Sequence, residues 1–371
     1  MAAWQVGETV TVFGEAGIYA SHPCVEVVAD GDWLVAFNYT RVHPERLHPP
    51  EDPFYHNVIC RSSDGGHAWG APEFVPGLDW YGVECPGLRQ LSDGTVVLNQ
   101  FRFRWYSLGE ARARRQVGER VAIALERRRF TEEFTEADWE RAIYPWARGF
   151  DGLYLHFSRD GGRTFGETVR VDTEPYRDGY TRVGVRELSD GRLALALEQH
   201  PFLGHNFIVF SGDRGRTWSR PTVICEKGRM LDGEPDVLEV APGELLCALR
   251  DSGRTKYLHF SRSVDGGKTW STPERSGLFG HPGQLLRLGD GRVLCTYGRR
   301  TAPFGIRACL SEDGGYTWLV QDEFVIRDDL PNGDLGYPTS VEYAPGRIFT
   351  AYYAQDAVGV TAVYGTYWVL G

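Results

Sequence analysis

No apolar run in this sequence approaches the roughly 20 residues needed to cross a bilayer as a helix. The first residues, Met1 to Gln5, carry neither the basic stretch nor the apolar stretch of a secretory leader. CxxC pairs are also missing. The seven cysteines (Cys24, Cys60, Cys85, Cys225, Cys247, Cys295, Cys309) are scattered, and most sit in apolar, strand-like runs. They are expected as buried free thiols of a reducing compartment, which makes the cytoplasm the expected location; secretion stays open if a leader was removed. Positive charge is in deficit, with 40 Lys and Arg against 50 Asp and Glu, a net −10. That argues against nucleic acid or a membrane surface as the main partner. It does not exclude an acidic small ligand, because arginines can gather in one pocket. His22 and His281 lack the local spacing of a metal pair, and neither metal nor cofactor is expected. What is present is 42% hydrophobic and 13% aromatic residues, enough for a large core.

Internal repeats organise the chain. Five segments share Ser, any residue, Asp, then Gly two residues on and an aromatic three further: Ser62–Trp69, Ser158–Phe165, Ser211–Trp218, Ser263–Trp270 and Ser311–Trp318. In such a turn the Asp accepts turn amides, Gly supplies positive φ, and the aromatic packs between neighbouring sheets. A second marker keeps step with the first. Turns at Asp30-Gly31, Asp93-Gly94, Asp190-Gly191, Pro242-Gly243, Asp290-Gly291 and Pro345-Gly346 each precede a short apolar strand. Six units of four strands predict an all-β, six-bladed β-propeller, one domain over residues 1–371.

Residues 104–150 break this rhythm. Their Glu, Arg and Ala content predicts helix over Gly109–Arg129 and Thr135–Ile143, with Thr135 to Asp138 resembling a capping box. The repeat register puts this helical insertion in the second blade, on the face opposite the Asp turns. Two roles stay open: a solvated excursion serving as a homo-oligomer contact, and a lid beside the substrate site.

Counting back eight or nine residues from each turn marker reaches the start of every innermost strand. Those positions read His22, Glu84, Arg182, Glu234, His281 and Tyr337. Counting forward eight reaches Asn38, Glu198 and Arg250 on the same face. Strand starts packed round an axis are ordinarily apolar or small, so polar and titratable groups converging there point to a site. Singly, each Arg or Glu could equally be an interblade ion pair, and each His a structural one.

With these stretches in view, the chain resembles the sialidase superfamily over essentially its whole length, the five turns matching its Asp-boxes. Gly233-Glu234-Pro235-Asp236 followed by Leu246–Arg250 is similar to the strand pair in which a Glu polarises the nucleophile and an Arg reads the substrate carboxylate. Gly336-Tyr337-Pro338 resembles the segment holding a tyrosine nucleophile. Asp52–Asn57 is similar to the loop with the acid/base aspartate, and Arg300 and Arg307 lie where another substrate arginine is expected. The resemblance implies a glycosidase in which a neutral tyrosine attacks, because an anionic nucleophile would be repelled by the carboxylate on the anomeric carbon.

Two features depart from that pattern. Ser21-His22-Pro23 stands where the superfamily has the first arginine of its triad, and Tyr352–Gln355 lacks the usual Glu buttress. Together they imply a remodelled sugar pocket, with His22 or Arg182 in the vacant role. The leading expectation is therefore an exo-acting retaining hydrolase of terminal sialic or related acidic sugars, with Tyr337, Glu234 and Asp52 catalytic. Arg250, Arg300, Arg307, Arg182, His22, His281 and Glu84 would bind substrate. The alternatives are a uronide or deoxy-sugar glycosidase or a His/Tyr lyase on the same scaffold, and a non-catalytic glycan-binding propeller.

Overall fold

The computed structural model describes residues 4–42, 51–75, 81–127, 129–176, 178–199, 204–226, 231, 233–251 and 253–371. It is built almost wholly of antiparallel strands, in sheets of 8, 6, 5, 4 and 4 strands, none of which closes on itself. Most strands follow one another as antiparallel meanders; in the six-stranded sheet Trp146–Ser158 lies between Val96–Ser107 and Val121–Glu126. Gly233–Ala241, Glu244–Arg250, Tyr257–Ser263 and Glu274–Phe279 form one meander, and Gly283–Arg287, Val293–Arg299, Gly305–Ser311 and Phe324–Arg327 the next. The eight-stranded sheet is two meanders joined by a single parallel bridge, Tyr19 to Thr361. In the second of these, Leu335–Ala344, Arg347–Gln355 and Thr361–Leu370 are completed by the N-terminal strand Trp4–Phe13, which pairs along Thr361–Leu370.

The repeated turns work through local chemistry. In Ser263–Trp270 the Asp265 carboxylate accepts the amides of Lys268 (3.0 Å) and Thr269 (2.9 Å), and Ser263 Oγ accepts the Gly267 amide at 2.8 Å. Gly267 has φ +89°, and a Cβ there would lie 2.3 Å from Phe210 of the preceding meander. The aromatic closes the joint between sheets: Trp318 stacks on Phe260 of the preceding meander at 4.9 Å. The strands after the second set of turns, such as Trp33–Phe37 and Leu193–Leu197, are buried on both faces, which explains their unbroken apolar runs.

First strands of successive meanders touch one another around a circuit. Val25 N donates to Thr339 Oγ1 (3.0 Å), and Leu88 N to Cys24 Sγ (3.2 Å). A Cβ on Gly87 would fall 2.4 Å from the Val183 carbonyl. Arg186 grips Asp236 through three contacts of 2.8–3.2 Å and also donates to the Leu285 carbonyl at 2.9 Å. Asp236 in turn accepts the Leu285 amide at 2.7 Å, and Ser340 N donates to Gln284 Oε1 at 3.1 Å.

The insertion differs from its sequence-based expectation. Helix is confined to Leu108–Gln116, capped by Ser107 Oγ accepting the Glu110 amide. Gly118, at φ +87°, follows its end. Val121–Glu126 is a strand instead, paired with Arg129–Thr131 and with Arg148–Gly149. Its apolar residues pack against Ala111, Phe134, Trp139 and Ala147 in a small separate core, so tertiary burial overrides the helical composition. Glu136–Arg141 is a 3₁₀ turn in which Asp138 accepts both the amide and the hydroxyl of Thr135. All seven cysteines are buried and unpaired. Among the described residues no helix is long and apolar enough to cross a membrane.

Candidate active site

The site begins with a shared backbone irregularity. Register slips between Ser21 and Cys24, Glu84 and Gly87, Gly233 and Asp236, and Gly336 and Thr339 mark a bulge near the start of four first strands. In each bulge the residue before a proline has positive φ: His22 (55°), Cys85 (41°), Glu234 (38°) and Tyr337 (50°). A left-handed, pre-proline residue with a side chain is strained, and such strain collects where side chains must be re-aimed.

Around Tyr337 the side chains interlock. Tyr337 Oη donates to Glu234 Oε1 at 2.5 Å. Arg250 donates to the other Glu234 oxygen and, at 2.9 Å, to Tyr337 Oη. The His22 ring stands edge-on to the Tyr337 ring at 4.0 Å, with its Nδ1 2.7 Å from Ser21 Oγ. Arg182 and Arg300 place their guanidiniums 5.5 and 5.3 Å from the same ring. Arg182 is tied to the carbonyls of Gly283 (2.5 Å) and Pro338 (3.5 Å). Arg300 is tied to the Leu335 carbonyl (2.8 Å) and Tyr353 Oη (2.9 Å). Glu198, reached by counting forward, accepts the Glu234 amide at 3.5 Å.

Burial sets the protonation states. It pushes the Tyr337 phenol well above its ordinary range, and the Glu234 carboxylate adds to the effect while Arg250 and Arg300 oppose it. His281, only 5% exposed, is lowered to about 2 by burial and then by Arg250, Arg300 and Lys256, so its imidazole is neutral. Its Nδ1 has no hydrogen-bond partner among the described residues. Glu84 is buried near Glu234, and burial first, then that carboxylate, raises it to about 8, so it holds its proton at neutral pH.

Asp52 is fully buried, at 0% exposure, and accepts Thr40 Oγ1 (3.0 Å) and the Phe54 amide (2.8 Å). The neighbouring Tyr55 phenol is fully buried and is raised by that burial and then by Asp52, Glu84 and Asp334. The insertion reaches the same place, since Tyr144 Oη donates to Glu51 Oε1 and Trp146 Nε1 to the Glu51 carbonyl, both at 2.9 Å. Among the described residues no group of three or more His, Cys, Asp or Glu could hold a metal ion.

Residues 141–350, more than half of the chain, match the BNR repeat-like domain. The chain belongs to this sialidase-like BNR superfamily. Solved structures share the BNR fold. A protein of unknown function from Dyadobacter fermentans has TM-score 0.82 and 25% identity, with 99% of each chain covered. The NanB sialidase of Streptococcus pneumoniae has TM-score 0.69 and 13% identity, over 97% of this chain and 70% of that one. The intramolecular trans-sialidase of Ruminococcus gnavus has TM-score 0.63 and 15% identity, over 95% and 96%. No curated protein matches the sequence.

Two sequence expectations need correction in this BNR site. Arg307 lies apart from the Tyr337 group. It donates to the carbonyls of Ile306 and Arg327 and pairs with Glu323 at 3.7 Å, so it serves the outer strand of its own sheet. Glu84 is not the residue equivalent to Glu234 and Tyr337; the bulge register gives that place to Cys85, whose Sγ lies 2.6 Å from Tyr180 Oη. The signal was available as a repeated residue-proline pair: His22-Pro23, Cys85-Pro86, Glu234-Pro235, Tyr337-Pro338. Tyr353, which joins Arg300 to Asp334, was also missed; its strand reads as plain apolar β sequence.

Proposed function

We propose that the meanders stand as the blades of a six-bladed propeller, and that the chain is a retaining exo-glycosidase acting on terminal sialic or related acidic sugars. The circuit of contacts between first strands supports the blade arrangement. The catalytic reading rests on one observation, the 2.5 Å bond from Tyr337 Oη to Glu234 with Arg250 bridging both.

In the first step Tyr337 Oη bonds to the anomeric carbon as its proton passes to Glu234, and the glycosidic bond breaks. A carboxylic acid gives its proton to the departing oxygen. The resulting carboxylate then takes a proton from water as that water displaces tyrosine from the sugar, and Glu234 returns the phenol's proton. Arg182, Arg250 and Arg300 surround the tyrosine with positive charge suited to a sugar carboxylate, Arg182 standing in for the absent triad arginine. A His/Tyr lyase is less well supported, because an imidazole held to about 2, as at His281, is a feeble base.

The test is release of aglycone from an aryl α-sialoside and a panel of aryl uronides and deoxyglycosides. Proton NMR would read product configuration, and a fluorinated sugar would trap the intermediate. Net retention with the label on the Tyr337 peptide is expected; inversion, or no release from any glycoside, would overturn the reading.

Which carboxyl donates the proton is a separate question with two answers. Asp52 is implied by the family resemblance; Glu84, raised to about 8 by burial and then by Glu234, holds a proton at neutral pH. A proton donor must be protonated, so with Glu84 in that role kcat/KM falls as pH rises through about 8. Glu84→Gln should then remove the alkaline limb and slow substrates with poor leaving groups most. If Asp52→Asn shows those effects and Glu84→Gln does not, Asp52 is the donor.

A further inference from the structure

Asn38 is fully buried late in the strand Trp33–Arg41, and its side-chain amide spans Glu84 in the neighbouring sheet. Its Oδ1 accepts the Cys85 amide at 3.1 Å, and its Nδ2 donates to the Val83 carbonyl at 3.3 Å. Those groups belong to the two peptides that flank Glu84. The bulge between Glu84 and Gly87 begins at the same point. Other second strands hold their neighbours in the same way. Glu198, from Leu193–Gln199, accepts the Glu234 amide at 3.5 Å. Arg300, just past Val293–Arg299, donates to the Leu335 carbonyl, two residues before Tyr337, at 2.8 Å. Each of these strained strand starts is held from the sheet before it.

Asn38 is also the inner end of a chain. Its Nδ2 donates to Asn57 Oδ1 at 2.6 Å, and Asn57 Nδ2 donates to Gln100 Oε1 at 2.7 Å. Gln100 Nε2 lies 3.0 Å from His156 Nε2, and His156 Nδ1 lies 2.8 Å from Thr168 Oγ1. The direction of the chain is set at Glu84. The Cys85 amide can only donate and the Val83 carbonyl can only accept, so the Asn38 amide has one orientation. Each amide then orients the next. Gln100 Nε2 is a donor, which leaves His156 Nε2 as the acceptor and puts the ring hydrogen on Nδ1, facing Thr168. Burial and then Arg102 lower His156 to about 3, so its ring stays neutral. Asn38, Asn57, Gln100 and His156 are all buried. Buried amides satisfied at every step resist rotation at any one of them.

We propose that Asn38 is a positioning residue for Glu84. It clamps the peptide groups on either side of that carboxyl, and takes its own orientation from Asn57, Gln100 and His156. The inference rests on the glycosidase reading, because a proton donor must hold its place against the glycosidic oxygen. It gives the four buried polar side chains a use, since apolar groups of the same shape would serve stability about as well.

Two variants of the whole protein test this: Asn38→Ala at the clamp, and Gln100→Met, which keeps the bulk of the chain but ends its polarity. The groups that act electrostatically on Glu84 are Glu234, Arg148, Tyr55, Tyr180 and Cys85, and both variants retain all five. Nitrogen NMR of wild type should find His156 protonated on Nδ1 only. In both variants the Cys85 amide should exchange about tenfold faster or more. The Glu84 carboxyl should titrate lower than in wild type, where it sits at about 8, because a loosened bulge admits water. None of these signals needs turnover. With an active glycoside, kcat should fall by about 10- to 100-fold with little change in KM. The alkaline limb should move to lower pH, since a donor with a lower pKa loses its proton sooner. Circular dichroism checks folding, and Gln100→Met carries the test if Asn38→Ala does not fold. A folded variant with unchanged Cys85 exchange and Glu84 titration would overturn the proposal. So would an unchanged kcat and pH profile, or a His156 hydrogen on Nε2. If exchange and titration respond but no glycoside is turned over, the glycosidase reading fails and the clamp on Glu84 stands.

Discussion

Tyr337→Phe is expected to lower turnover by about 10³-fold or more while leaving the fold and the sugar affinity nearly unchanged. The change deletes one oxygen, and that oxygen is the atom proposed to bond to the anomeric carbon. Glu234 keeps its bond to Arg250, so no carboxylate is stranded. The ring keeps its contacts with His22, Arg182 and Arg300, so the pocket wall stays in place. Because burial and Glu234 hold the phenol's proton firmly in the resting site, deprotonation must accompany attack, and Glu234→Gln should lose activity for the same reason. Kinetics on an aryl glycoside, with circular dichroism as the folding control, checks the pair. Comparable kcat for Tyr337→Phe and wild type would remove tyrosine from the chemistry.

The largest stability effect is expected at Arg186 and Asp236, which tie three successive first strands together. The Asp236 side chain is fully buried and holds both Arg186 and the Leu285 amide. Arg186→Ala leaves that carboxylate without its cation, for an expected loss of about 3–5 kcal/mol. Replacing both partners by apolar residues of similar volume should recover most of the loss, since desolvating the pair offsets much of its attraction. Urea unfolding reads both outcomes through the midpoint at constant slope. A single variant as stable as wild type would show that the pair is not what joins those strands.

How much of this could be read from the residues follows from range. The Asp turns were legible because their hydrogen bonds close within five residues, as from Ser263 to Gly267. Tyr337, Glu234, Arg250 and His281 were legible by counting, because the repeat carries each to the same end of its strand. The count failed by one at Glu84, where the bulge inserts a residue that only strand pairing reveals. Arg307 misled because position along a strand does not say which neighbour the side chain meets. Val121–Glu126 was hidden by helix-favouring neighbours, and its strand state depends on partners around residues 130 and 148.

The pairing of Trp4–Phe13 with Thr361–Leu370 brings together stretches more than 340 positions apart in the sequence. During synthesis the first of these strands emerges more than 340 residues ahead of its partner. Closing so long a loop is slow, so the final sheet is the last to assemble and its open edge is exposed longest. Misassembly and edge-to-edge association between nascent copies should therefore concentrate at this seam. A crosslink between the two strands would shorten the vulnerable interval only after translation, through refolding, and not on the ribosome.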